Sequence, residues 1–241
     1  MNNAAPKLDI LAFAAHPDDA ELACAGTLIK HIKLGYKVGI VDLTQGDLGT
    51  RGTIEIREKE AATSAKIMGI HARENLKMAD GFFEETPENL KKVIYALRKY
   101  RPSVVFTNAI SDRHPDHGRG GDLVSRACFL SGLDKIETFN NGKAQQRWRP
   151  DEIYHYIQFR YHKPDFVVDV TNEWETKTSA IKAFESQFFN PSSDEPSTMI
   201  ASEDFLKFID ARGREMGGAI EVTYGEGFTT ERPLKVEDLV R

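Results

Sequence analysis

The 241-residue chain has few of the features that mark secreted, membrane-spanning or disulfide-bonded proteins. It contains only two cysteines, Cys24 and Cys128, which lie far apart and outside any CxxC pair. This spacing argues against a disulfide framework and against a thiolate metal cluster. The longest strongly apolar stretch, residues 8–15, is much shorter than the ~20 residues needed to span a bilayer. The N-terminus also lacks the basic and apolar blocks of a signal peptide, so we expect a cytoplasmic protein with no membrane partner.

Basic residues are not in excess either. The chain has 32 lysines and arginines against 37 aspartates and glutamates, which gives a formal net charge of −5. This balance argues against nucleic-acid partners and anionic membranes, because both favour a basic surface. Apolar residues make up 40% of the chain and charged residues 29%, as in an ordinary globular domain.

Short apolar runs alternate with amphipathic segments in the first half of the chain. The apolar runs predict buried strands over residues 8–15, 37–43 and 102–107. The amphipathic segments predict helices over residues 20–33, 54–68 and 87–100. In the less regular second half, strands are predicted over residues 153–157 and 166–170, and helices over residues 172–188 and 203–214. The polar segments 134–150 and 190–198 are expected to form loops or a mobile lid.

This alternation is typical of a mostly parallel sheet with helices on both faces. We therefore predict the α/β fold class, with a single Rossmann-like domain over residues 1–241. Folds of this class bind ligands in the crevice beyond the carboxyl ends of their strands. The active site is accordingly expected at the C-terminal ends of the strands.

Two histidine- and aspartate-rich turns follow two of the predicted strands. The first has the sequence HPDDAE at residues 16–21, and the second has the sequence SDRHPDHG at residues 111–118. The pairs His16/Asp19 and His114/His117 share a spacing of three residues, and their side chains can converge from neighbouring loops. Imidazole and carboxylate groups suit Zn²⁺, and a catalytic zinc site has three protein ligands and an open fourth position.

Helix capping is the simpler explanation for a lone aspartate pair. Asp18 or Asp19 would then cap the helix that begins near residue 20, as aspartate often does. Capping does not account for two separate His-Pro-Asp turns, each at the end of a strand. We therefore interpret the two turns as parts of one chemical site.

The two turns resemble the signature motifs of the LmbE-like (PIG-L-related) zinc-dependent N-deacetylases, which remove acetyl groups from N-acetylglucosaminyl conjugates. The resemblance covers nearly the whole chain, except for segments 134–150 and 190–198. Within this family, the chain is similar in particular to the branch that deacetylates N-acetylglucosaminyl-malate in bacillithiol biosynthesis. The residues that carry this similarity are 46–52, 56–61, 154–156, 162–166 and 183–188. Members of the family often form trimers or hexamers, so the resemblance implies a homo-oligomer.

The resemblance also implies residue roles. It makes His16, Asp19 and His117 ligands of Zn²⁺, with Fe²⁺ as an alternative metal. It makes Asp18 the general base and places His114 beside the developing oxyanion.

Four further residues have roles for which two interpretations are open. Asp116 orients an imidazole from outside the ligand set, or it only forms the turn after a proline. Arg57 and Arg113 bind the acid groups of a malate aglycone, although Arg113 can equally be a solvated surface residue. Glu21 reaches a sugar hydroxyl, or it only favours the helix N-terminus electrostatically.

Two other classes of protein could use a similar ligand set. Non-haem Fe(II) oxygenases also have two histidines and one carboxylate, but they are usually β-barrels with a shorter spacing between carboxylate and histidine. A non-catalytic, metal-stabilised binding module would close its site with a fourth protein ligand and would leave Asp18 without a role. We therefore expect an enzyme that acts on a small N-acetylglucosaminyl conjugate, most simply the malate conjugate, with deacetylation of another conjugate as the alternative.

Overall fold

A seven-stranded sheet forms the centre of the structure, which is a computed structural model describing residues 6–236 and residue 238. The strands in chain order are β1 Ile10–Ala14, β2 Val38–Thr44, β3 Ala72–Met78, β4 Val104–Thr107, β5 Phe139–Asn140, β6 Lys143–Ala144, β7 Glu152–Tyr156, β8 Phe166–Asp169 and β9 Gly225–Thr230. The order in the sheet is β3-β2-β1-β4-β7-β9-β8, while β5 and β6 form a separate hairpin. The first five strands in this order pair in parallel, and β9 runs antiparallel to both of its neighbours.

Within the described residues, six α-helices accompany the strands. They are α1 Asp19–Lys33, α2 Ile54–Met68, α3 Pro87–Tyr100, α4 Pro115–Ser131, α5 Trp174–Lys182 and α6 Glu203–Gly218, and a short 3-10 helix, Thr171–Glu173, precedes α5. Local sequence fixes several of their ends. The Thr53 side chain accepts a hydrogen bond from the Ile56 N–H at the start of α2. Gly69 ends the same helix in the left-handed conformation, with a φ of 77° that glycine adopts without strain.

Strand β1 lies at the centre of the parallel part of the sheet, and all of its residues are buried. Successive residues of a strand point to opposite faces. Leu11 and Phe13 pack in an apolar cluster with side chains of α3 and α4. Ile10, Ala12 and Ala14 pack on the other face, against α1. Helices therefore cover both faces of one α/β domain, and the predicted fold class is confirmed. Within the described residues, no helix is both long and apolar enough to cross a bilayer.

The crevice that holds the candidate site arises at β1 and β4, which are neighbours in the sheet but not in the chain. The helix after β1 packs on one face and the helix after β4 packs on the other, so the two following loops diverge. A doubly wound sheet binds its ligands at such a switch point. Loops 15–18 and 108–114 therefore meet beyond the carboxyl ends of these strands.

Most predicted elements agree with the structure, and the differences have physical reasons. The helices over residues 54–68 and 87–100 are confirmed, whereas α5 ends at Lys182 rather than at residue 188. Strand β3 was not predicted because its sequence, ARENLKM, is polar and lies at the edge of the sheet. Strand β9 was missed because its sequence, GEGFTT, contains two glycines, which weaken a strand signal.

Segment 134–150 is not a lid over the carboxyl ends of the strands. It contains the β5–β6 hairpin, and Trp148 Nε1 donates to the Pro102 carbonyl, just before β4 begins. Arg98 of α3 donates to the carbonyls of Leu133 and Ile136, which holds the start of the segment against the helices. The segment therefore packs away from the crevice.

A buried ion pair, with its hydrogen bonds, connects α5, β9 and α1. Lys177 Nζ on α5 lies 2.6 Å from Glu226 Oε1 on β9, and the two side chains are 3% and 2% exposed. The same carboxylate accepts hydrogen bonds from the backbone N–H groups of Gly26 (2.9 Å) and Thr27 (2.7 Å) in α1. Removing one partner of such a pair leaves a buried charge uncompensated.

We expect Lys177→Met to lower the free energy of unfolding by about 3–5 kcal/mol, because the Glu226 carboxylate would lose its cation in a buried environment. The measurement is equilibrium unfolding in urea. The matched control is Lys92→Met, which removes a surface pair with Glu88 and should cost less than about 1 kcal/mol. Equal losses in the two variants would contradict a structural role for the buried pair.

Candidate active site

The two histidine- and aspartate-rich turns meet in the crevice. His16 and Asp18 lie in the loop after β1, and Asp19 is the first residue of α1. His114 is the N-cap residue of α4, and His117 lies in its first turn. The ring centroids of His16 and His114 are 4.6 Å apart, and those of His114 and His117 are 5.3 Å apart. The residues with predicted chemical roles therefore face one another.

Asp19 lies between two imidazoles. Its Oδ2 atom is 3.5 Å from His16 Nδ1, and its Oδ1 atom is 3.1 Å from His117 Nε2. All three residues are buried. Burial alone would raise the pKa of Asp19, but the adjacent His117 and His16 hold it well below its usual value. Burial alone would lower the pKa of His117, yet Asp19 and then Asp112 raise it to about 9.

This donor set fits a transition-metal ion. Imidazole nitrogens and a carboxylate oxygen are the ligands that Zn²⁺ and Fe²⁺ accept, and a cavity adjoins them. The ligand atoms of His16, His114 and His117 also lie within 4.8 Å of one another, so the geometry brings a third imidazole within reach of the same point.

Each of the two imidazoles beside Asp19 has a carboxylate on its other nitrogen. Asp80 Oδ1 lies 3.0 Å from His16 Nε2, and Asp112 Oδ2 lies 2.8 Å from His117 Nδ1. Asp116 Oδ2 lies 3.4 Å from His16 Nε2, so the predicted contact of this residue with an imidazole is present. Metal-binding histidines usually have such carboxylate partners, which fix the tautomer and the ring orientation.

Sequence reasoning missed four residues that hold this arrangement. Asn108 Nδ2 and Gln158 Nε2 donate to the two oxygens of Asp19, at 3.2 and 2.7 Å. Asp112 stands inside the second motif, so its position next to His114 was an available signal. Asp80 follows the unpredicted strand β3, and neither Asn108 nor Gln158 belongs to a spacing pattern.

Asp18 differs from Asp19 in its environment. Burial raises its pKa to about 7, and the Arg57 guanidinium 3.1 Å away offsets only part of that rise. Its φ of 125° is rare for a residue with a side chain, and such strain is concentrated at functional sites. Asp18 occupies the N-cap position of α1, but its side chain makes no capping hydrogen bond. The capping explanation is therefore wrong for this residue.

His114 is half-buried at the edge of the cavity. Its Nδ1 atom accepts a hydrogen bond from the Asp116 N–H at 3.3 Å. Burial, together with the neighbouring His16 and His117, lowers the pKa of His114 below its usual value. A neutral imidazole that accepts through Nδ1 carries its proton on Nε2, so His114 offers a hydrogen-bond donor there.

Arg57 requires a correction. Its guanidinium is buried and donates to the Gly46 carbonyl, the Pro17 carbonyl and Asp18 Oδ2. Nη2 donates both of its hydrogen bonds within the protein, so a bidentate contact of a substrate carboxylate that uses Nη2 would break one of them. A Cβ at Gly46 would overlap the guanidinium, so the glycine is needed for this close approach. Arg57 holds Asp18 rather than a free anion.

The predicted sugar contact of Glu21 is wrong. This residue is fully buried, and its Oε1 atom accepts hydrogen bonds from Ser64 Oγ (2.8 Å) and Arg73 Nη1 (2.6 Å). Arg73 also holds Asp42 through Nε and Nη2. Glu21 therefore links α1 to α2 and β3 behind the site.

A cavity of about 330 Å³ opens beside the donor set. One wall is apolar and consists of Leu22, Phe159, Met199, Ile200, Phe205 and Ile209. The polar lining includes Thr198, at the end of the 190–198 segment, so that segment does border the cavity. Arg113 lies at the exposed mouth, with its guanidinium 5.2 Å from the Phe159 ring centroid. Among the residues that the structure describes, Arg113 has no carboxylate partner.

Comparisons with known proteins agree with this geometry. The family described as PIG-L, GlcNAc-PI de-N-acetylase, matches residues 11–128, which include both motifs. Diacetylchitobiose deacetylase of Thermococcus kodakarensis is 30% identical over 189 residues, which are 74% of this chain and 70% of that protein. A probable N-acetyl-α-D-glucosaminyl L-malate deacetylase 2 of Bacillus anthracis is 31% identical over 146 residues, which are 54% of this chain and 63% of that protein.

The fold is also similar to that of a solved structure. The crystal structure of a conserved protein from Thermus thermophilus superposes with a TM-score of 0.86 at 34% identity, covering 97% of this chain and 99% of that one. The resemblance inferred from the two motifs is confirmed, and the chain belongs to the PIG-L (LmbE-like) family of deacetylases.

Proposed function

We propose that this protein is a metal-dependent hydrolase that removes the acetyl group from an N-acetylglucosaminyl conjugate. The observation that carries the proposal is the pair of adjacent buried aspartates, one between two imidazoles and the other with its pKa raised to about 7. A general base works best when its pKa is near the pH of the reaction. Two relatives whose names specify deacetylation of N-acetylglucosaminyl compounds support the same substrate class.

In this proposal His16, Asp19 and His117 hold the metal ion, with Zn²⁺ preferred and Fe²⁺ as the alternative. The bound ion would polarise the amide carbonyl and lower the pKa of a bound water from ~16 toward ~7. Asp19 is kept ionised by its two histidine neighbours, and Asn108 and Gln158 fix the directions of its oxygens. These contacts support its assignment as the carboxylate ligand.

Proton transfer is assigned to Asp18. Its carboxylate would accept a proton from the attacking water and later deliver it to the amine nitrogen as the C–N bond breaks. The neighbouring Arg57 fixes the orientation of this carboxylate. His114 would donate from Nε2 to the developing oxyanion, and it can do so as a neutral imidazole.

For the aglycone we propose an anionic group, of which malate is the specific candidate. Arg113 is an exposed cation at the cavity mouth without a carboxylate partner in the described part of the chain, and a planar guanidinium suits a carboxylate. The B. anthracis relative supports malate. A second sugar is the alternative aglycone, which the longer match to the chitobiose enzyme and the apolar cavity wall support. A role in bacillithiol biosynthesis and assembly into a trimer or hexamer stay predictions.

Substitution of one proposed ligand tests the metal assignment. We expect His117→Ala to lose both bound zinc and acetate release from an N-acetylglucosaminyl conjugate, because His117 Nε2 faces Asp19. The measurements are metal content per protein and acetate release. The matched control is His31→Ala, which changes a histidine that only bonds within α1 and should keep both. Full metal occupancy in His117→Ala would refute the ligand assignment.

Substitution of the base separates metal binding from proton transfer. Asp18→Asn keeps the shape of the side chain but cannot accept a proton at neutral pH. We expect near-normal zinc content with kcat lowered by at least ~10²-fold. If kcat stays within a few-fold of the wild type, the base is another residue and this part of the proposal fails.

Two arginine variants test the aglycone. We expect Arg113→Ala to lower kcat/KM for N-acetylglucosaminyl-malate by about ten-fold or more, because a charge-assisted contact is lost. It should change kcat/KM for the neutral methyl glycoside much less. Arg57→Ala should lower kcat/KM for both substrates alike, because Arg57 orients the base. Equal losses on the two substrates in Arg113→Ala would argue against the anionic aglycone.

A further inference from the structure

The carboxylate of Asp112 makes four hydrogen bonds, and these join two parts of the cavity. Its Oδ2 atom lies 2.8 Å from His117 Nδ1 and accepts from the Phe159 N–H at 3.3 Å. Its Oδ1 atom accepts from the N–H groups of Arg113 and Arg160, at 2.8 and 2.7 Å. The side chain is fully buried, so water does not compete for these bonds.

The bond to His117 determines what that imidazole can do. A carboxylate beside Nδ1 accepts a hydrogen bond from the N–H of that nitrogen, so in the neutral imidazole the lone pair is on Nε2. That nitrogen is the one that faces Asp19 at 3.1 Å. Asp112 therefore keeps His117 in the tautomer that can bind a metal at the position shared with Asp19.

The other three bonds hold the mouth segment, which we define as residues 158–160, together with Arg113. Gln158 donates to Asp19, and the ring of Phe159 lies under the Arg113 guanidinium. Arg212 of α6 also donates to the Phe159 carbonyl, at 3.0 Å. One buried carboxylate thus anchors both the cation at the cavity mouth and the aromatic ring on which it rests.

We propose that Asp112 is a positioning residue that couples metal binding at His117 to the conformation of the mouth segment and of Arg113. This inference rests on the proposed metal-dependent function. Metal binding at His117 would restrain Asp112 and, through it, the N–H groups of Phe159 and Arg160. The coupling is reciprocal, because linkage requires that a more ordered mouth segment also raises the affinity for the metal.

Asp80 provides a matched control in the same site. Its Oδ1 atom contacts His16 Nε2 at 3.0 Å, as Asp112 contacts His117, but its Oδ2 atom accepts from the Leu48 N–H at 2.8 Å. Asp80 therefore connects the other imidazole to the loop between β2 and α2, which contains Gly46, Gly49 and Gly52 and which we call the glycine-rich loop. Its substitution should disturb Leu48 and leave Phe159 and Arg160 unchanged.

Asparagine at position 112 cannot reproduce the contacts in either orientation. If its amide nitrogen faces His117, it donates to Nδ1, and the imidazole proton moves to Nε2, where a metal would bind. If its oxygen faces His117, the amide nitrogen is directed at the N–H groups of Arg113 and Arg160, and two hydrogen bonds are lost. Either outcome weakens metal binding or releases the mouth segment.

The test combines zinc affinity, by competition with a chelator, and amide hydrogen exchange at Phe159, Arg160 and Leu48, with and without Zn²⁺. In the wild type, zinc should slow exchange at Phe159 and Arg160 several-fold. Asp112→Asn should raise the Kd for zinc by about 10- to 100-fold if its amide nitrogen faces His117, or should speed exchange in the mouth segment even without metal if its oxygen faces His117. Asp80→Asn should raise the Kd similarly but speed exchange at Leu48 only.

Two results would overturn the inference. One is a folded Asp112→Asn variant in which both the zinc Kd and the exchange at Phe159 and Arg160 are those of the wild type, and the other is no effect of zinc on these two amides in the wild type. The last measurement needs no variant, so it decides the matter even if Asp112→Asn does not fold. A wild-type protein that binds neither Zn²⁺ nor Fe²⁺ would overturn the proposed function as well. A wild type that binds zinc without these exchange changes would overturn the coupling alone.

Discussion

The buried carboxylate of Asp19 is the group on which the rest of the site depends. A charge that is only 2% exposed is costly unless other groups replace its hydration. Four side chains supply that replacement, and they come from four different parts of the chain: His16, Asn108, His117 and Gln158. Asp19 is also the first residue of α1, so the positive end of the helix dipole stabilises its negative charge. The sheet must bring β1, β4 and β7 together before these groups can meet, so one carboxylate links the fold to the chemistry.

The neighbouring carboxylate shows how one turn can support two roles. Asp18 and Asp19 are adjacent and both buried, but their pKa values move in opposite directions, upward to about 7 for Asp18 and downward for Asp19. The difference comes from their surroundings, since Asp19 lies between two imidazoles, whereas Asp18 pairs with Arg57 and is repelled by the charges of Asp19 and Glu21. Two acids whose environments separate their pKa values are suited to different tasks.

The sequence predicted what depends on strong local patterns and missed what depends on distant contacts. Strand β1 is apolar at every residue, and both His-Pro-Asp turns are specific enough to indicate a site. Asp80 was missed because it follows a polar edge strand, and Gln158 because a single amide carries no spacing signal. The predictions for Arg57 and Glu21 were wrong for a related reason. A charged residue near a motif can face a ligand or a buried partner, and only the tertiary contacts distinguish the two.

The donor set and the apolar wall of the cavity differ in how far their surroundings can be substituted without disturbing an imidazole. The donor set is tied through Asp80 to the glycine-rich loop and through Asp112 to Phe159 and Arg160, so a change in either place disturbs an imidazole. The apolar wall of the cavity, which includes Met199, Ile200 and Phe205, can offer a ligand packing contacts only. In the described part of the chain, no side chain of this wall hydrogen-bonds to the donor set. Substitutions there can therefore reshape the space beside the donor set without removing any of its hydrogen bonds.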